Sequence, residues 1–94
     1  MNLTATIELC PIRFTGKHLN NRQRNELAPV LAAAERVGCT ELFVDAQYQY
    51  WSGHVVVEDV CIRFEPAMSG HWKQEETVQQ FAKRMFKWLD KLTP

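Results

Sequence analysis

The sequence predicts an α+β fold in the order β-α-β-β-α, with a small mixed sheet and two helices on one of its faces. Three observations predict it. Two stretches repeat apolar residues at three- and four-residue spacing, as helices do. The stretches between them alternate with a period of two, as strands do. The first helical stretch separates two strands, so it serves as a crossover that makes them parallel.

Residues 3–14 read as the first strand. Leu3, Ala5, Ile7 and Leu9 carry its apolar side, and then Cys10, Ile12 and Phe14 do. That change of parity needs an extra residue, which predicts a bulge near 9–11, with Pro11 placing this stretch on an edge or at the irregularity itself. Residues 15–18 form the expected turn.

The first helix is expected over 21–37, on the stripe Leu27, Val30, Leu31, Ala34 and Val37. Asn20 or Asn21 caps its start. Pro29 either bends it or delays its regular part to near Glu26. Gly38 is the expected C-cap.

Residues 40–51 read as the second strand, followed by a two-residue turn at Ser52 and Gly53 and a return strand over 54–64. The return strand changes parity between Val57 and Val60. A bulge near Glu58 would set Leu42 opposite Phe64, Val44 opposite Ile62 and Ala46 opposite Val60. The rival is a short turn at Glu58 and Asp59 that splits the segment into two strands. The return strand can also pair with the first strand, from a place between the other two. Pro66 ends it and residues 68–71 form a loop. The last helix is expected over 72–92, with Val78, Phe81, Met85, Leu89 and Leu92 inward and Lys83, Lys87 and Lys91 opposite.

Ninety-four residues fit a single domain over 1–94. Eleven basic residues balance eleven acidic ones, which excludes a histone-like chain. The N-terminus lacks the pattern of a signal peptide, and no window approaches 18 apolar residues, so no membrane partner is expected. Cys10, Cys39 and Cys61 are odd in number and widely spaced, which fits free thiols in a reducing, cytoplasmic setting. Cys10 and Cys61 fall in apolar strand patterns and read as small core residues.

No phosphate loop, dinucleotide fingerprint or nucleophile elbow is present. The histidines His18, His54 and His71 lack zinc-site spacing. Neither a cofactor, a metal nor a catalytic residue is expected. A carboxylate group of Glu41, Asp45, Glu58 and Asp59 leaves a small metal-dependent nuclease as one alternative, against the plainer reading of a solvated edge. Basic residues gather in two segments, and Arg22, Arg24, Lys83 and Lys87 are the candidate phosphate contacts of a nucleic-acid-binding module. The plainer reading is again a solvated face. The aromatic residues carry the main expectation. Tyr48, Tyr50 and Trp51 crowd the tip of the expected hairpin, with His54, Phe43 and Trp72 as further partner contacts. The function this favours is a small protein-binding regulator or stoichiometric inhibitor, of the kind carried by phages or plasmids. A homodimer is also expected, through the sheet face that would expose Phe43 and Trp51.

Overall fold

The computed structural model describes residues 12–92. In order these form β1 (Arg13–Lys17), α1 (Asn21–Glu26), α2 (Ala28–Arg36), β2 (Cys39–Asp45), a 3-10 turn (Gln47–Gln49), β3 (Ser52–Val57), β4 (Val60–Phe64), β5 (Met68–Ser69), β6 (Trp72–Lys73) and α3 (Val78–Asp90). The fold is α+β. A mixed sheet has the strand order β1-β2-β3-β4, and β5 and β6 make a separate small hairpin. β3 therefore lies beyond β2, not between β1 and β2.

Most of the expected first strand, including the bulge near 9–11, lies outside the described residues. The turn expected at 15–18 is corrected: residues 15–17 are strand. β1 runs parallel to β2 from Arg13 opposite Glu41 to Lys17 opposite Asp45. It stops at His18, whose φ is 60°. Gly16 is closely packed: a Cβ there would meet the ends of the Leu19 and Arg24 side chains, which would have to shift.

The crossover is two helices. Asn20 caps α1 with a reciprocal pair of bonds: Gln23 N–H donates to its side chain (2.7 Å), and its own N–H donates to Gln23 Oε1 (3.0 Å). Leu27 ends α1 and begins α2, so Pro29 falls in the first turn of α2. There its missing N–H leaves no helical bond unmade. Gly38, at φ 93°, turns the chain into β2.

The parity problem of the hairpin has two solutions in the structure, and neither is a bulge at 58. Thr40 is the extra residue: Cys39 pairs with Val57 and Glu41 with Val56, so Leu42 and Val44 come to face the core. The segment 54–64 then splits at Glu58 and Asp59. Both have positive φ, 50° and 65°, as a tight hairpin of this twist requires. Val57 pairs with Val60 across it, which lets odd positions face inward in β3 and even ones in β4. The turn expected at Ser52 and Gly53 is strand instead, and β2 reverses through residues 46–51.

The last helix begins at Val78, later than expected, because Thr77 caps it and residues 72–73 belong to β6. Its inner stripe is the expected one: Val78, Phe81, Met85 and Leu89 are buried, and Leu92 is partly buried. These join Val30, Ala33 and Ala34 of α2 and Leu42, Val44, Val55 and Phe64 of the sheet in one core cluster. The helices thus cover a single face of the sheet. No helix is long and apolar enough to cross a membrane among the described residues.

Candidate binding surface

Cross-strand partners share a side of the sheet. With Leu42 and Val55 inward, the outward side presents Thr15, Phe43, His54 and Arg63 in one row, flanked by Glu41 and Asp45. Among the described residues no helix covers this side. His54 stacks on Phe43 with ring centroids 5.3 Å apart, and its Nε2 lies 2.9 Å from Glu41 Oε2. His18 Nδ1 lies 2.9 Å from Asp45 Oδ1, which also accepts the Gln47 N–H at 3.0 Å. Partial burial pushes the Asp45 carboxyl up. The hydrogen bonds from His18 and Gln47, with the charges of His18 and Lys17, outweigh that and hold it below its ordinary value. Two carboxylates of the open face are therefore engaged by histidines.

A cleft of about 480 Å³ runs along this face, over Phe43, Ser52, His54 and Arg63 and under Lys73 of the small hairpin. A second, of about 370 Å³, continues it between the 46–51 loop and Pro66, past Tyr48 and Tyr50. Asp45, Ser52, Pro66 and Lys73 border both. Tyr48 (74% exposed) and Trp72 (79%) are the most exposed large apolar side chains among the described residues, and Tyr48 lines the second cleft.

The expected aromatic contacts thus divide. Tyr48 and Trp72 stand in solvent. Tyr50 is half-buried, with Lys73 Nζ 5.8 Å from its ring. Phe43 and His54 are half-buried on the open face. Trp51 is corrected outright: it is fully buried. Its ring stacks on Phe81 (centroids 4.6 Å, 15° between planes) and its Nε1 donates to the Glu76 carbonyl at 2.8 Å. The cause is the position of the turn. Reversal at 46–50, with Tyr48 and Gln49 at positive φ, delivers Trp51 to the helix side just before β3 begins.

The basic residues divide as well. Arg24 donates to the Gly16 carbonyl (3.1 Å) and lies over the Phe14 ring. Arg22 is exposed beside Glu26, 3.8 Å away. Lys83 and Lys87 are exposed on α3. Nothing in the sequence marks Arg84 as more than a surface charge. Its guanidinium binds both Glu76 oxygens (2.8–3.2 Å), the Trp51 carbonyl (3.1 Å) and the Glu65 carbonyl (3.1 Å). Glu76 is the one buried charged residue among the described residues.

The carboxylates considered for a metal do not meet. Asp45 pairs with Ser52 at one end of the β2–β3 ladder, and Glu58 and Asp59 turn the chain at the other. No group of three or more His, Cys, Asp or Glu side chains is placed to hold a metal ion among the described residues. Of the thiols, Cys39 is buried, and burial pushes it up from its ordinary pKa. Cys61 is exposed on the open face, contrary to the core position expected of it. Cys10 lies outside the described residues. Comparison with protein-family profiles, curated proteins and solved structures finds no match to the chain.

Proposed function

We propose that the chain is a small protein-binding regulator or stoichiometric inhibitor that receives its partner on the open sheet face. The observation that carries this reading is the exposed Tyr48, lining a cleft that continues the one floored by Phe43 and His54, with Trp72 a second exposed aromatic on the small hairpin. Large rigid aromatic groups in water are where binding energy concentrates once a partner desolvates them. Charge supports a protein over a nucleic acid. The face mixes Arg63 and Lys73 with Glu41, Asp45 and Glu65, and Arg24 and Arg84 spend their guanidinium groups on backbone carbonyls. A polyanion would meet carboxylates there.

The test is titration of the isolated cellular partner into wild type, Tyr48→Ala with Trp72→Ala, and Lys83→Ala with Lys87→Ala. The aromatic pair should weaken binding by about 30-fold or more, since a hot-spot truncation costs about 2 kcal/mol. The lysine pair should change little at moderate salt. A partner that proves to be nucleic acid, with affinity falling steeply as salt rises and with loss in the lysine variant, would replace this reading.

A further inference from the structure

The two edges of the sheet are unlike. β1 bears Arg13 and Lys17 at its ends and Gly16 within, features that discourage further pairing. β4 reads Val-Cys-Ile-Arg-Phe, with no proline, glycine or bulge, and Val60 is 57% exposed. The tight turn makes Val57 and Val60 a hydrogen-bonded pair, so Val60, Ile62 and Phe64 direct their backbone groups to β3. Cys61 and Arg63 direct theirs outward, where no strand pairs with them among the described residues.

We infer that β4 pairs antiparallel with β4 of a second copy of this chain, about a two-fold axis at Ile62. In this register Cys61 of one copy faces Arg63 of the other, and both exchange their N–H and C=O groups, giving four backbone bonds. Ile62 faces its own counterpart and Val60 faces Phe64, so the helix side gains a continuous apolar row. Half-buried Trp88, whose ring meets Phe64 edge-on at 5.3 Å, lies under that row. The axis stands perpendicular to the sheet and keeps the helices of both copies on one side. A second copy is the fitting occupant because the strand complements itself. Within Val60–Phe64 no like charges oppose each other, and its apolar positions meet apolar positions. This places the dimer at the sheet edge, where Cys61 and Arg63, which also line the cleft of the open face, meet their counterparts.

Cys61 is exposed on the open side, so its substitution tests the contact without touching the core. Sedimentation equilibrium in reducing buffer across the micromolar range should give wild type a mass approaching twice 10.9 kDa. Cys61→Lys sets two like-charge pairs across the axis with Arg63 and should weaken the dimer about tenfold; Cys61→Glu sets two opposite-charge pairs and should tighten it by a similar factor. Circular dichroism confirms the fold of each variant. A wild type that stays monomeric throughout overturns the proposal. So does a dimer that both substitutions leave unchanged, or one that Cys61→Glu weakens, since that sign belongs to a register with Cys61 opposite itself.

Discussion

Two turn-rich regions each carry a tryptophan, and they treat it in opposite ways. In the 46–51 loop Trp51 is wholly enclosed and its neighbours are bonded to distant segments: Ala46 N–H to the Lys17 carbonyl, Glu76 N–H to the Gln49 carbonyl, Arg84 to the Trp51 carbonyl. In the β5–β6 hairpin Trp72 is 79% exposed, and only short local pairings and the Gln74-to-Ala67 bond hold the strands together. The residue type is the same and both sit beside turns. The difference lies in which side of the sheet the chain reaches when the turn ends. An aromatic residue near a turn is a surface anchor or a core pillar according to register, not composition.

That contrast is easiest to break by truncation. Trp51→Ala should cost about 3–5 kcal/mol in chemical denaturation, through lost burial and a cavity against Phe81. Trp72→Ala should stay within about 0.5 kcal/mol of wild type. Equal losses would mean that the two regions do not differ as described. Next in size is the tie itself. Arg84→Met strands the buried Glu76 carboxylate and two carbonyls, and should cost about 3 kcal/mol, whereas Lys83→Met on the same helix should cost almost nothing. The double variant Arg84→Met with Glu76→Gln should recover part of that loss, which a purely steric role would not give.

Acid titration sharpens the comparison further. The folded-state pKa of Asp45 lies below its unfolded value, so its contribution is present above the unfolded value, near pH 4, and is lost as pH falls through the lowered folded one. Asp45→Asn should therefore flatten the acid limb of the stability–pH curve, with little change at neutral pH in its slope. The smallest effect belongs to a third turn. Glu58 and Asp59 occupy positive φ that glycine and asparagine tolerate better. Replacing them with Asn and Gly should stabilise the protein by about 0.5–1 kcal/mol, measured by the midpoint of thermal unfolding.

How much of this is legible in the sequence varies with the kind of signal. The inner stripe of α3 and the break before Pro29 follow from spacing and from one ring's geometry, and both read directly off the chain. The open face is legible in part: Phe43 and Asp45 share a parity within 40–51, and they share a side of β2. Trp51 is not legible, because the apolar alternation through 40–51 looks continuous while the backbone leaves the strand at Ala46. Positive φ at Tyr48 and Gln49, neither a glycine, announces nothing in the sequence. Thr40 is hidden for a related reason, since a bulge and a turn correct parity equally well. Arg84 and Glu76 come together through the cap at Thr77, and no spacing rule marks a pair that straddles a helix start.

The Arg84 fork also bears on how the molecule opens. It joins α3 to carbonyls 19 and 33 residues away along the chain, and to the carboxylate that precedes the helix. A loop so fastened cannot fray alone: releasing it means releasing the helix that anchors it. The Glu76 amide, bonded to the Gln49 carbonyl, should exchange its hydrogen for deuterium only when the whole core comes apart, while amides of the β5–β6 hairpin exchange through small openings. The loop and α3 then behave as one cooperative unit in time as well as in space.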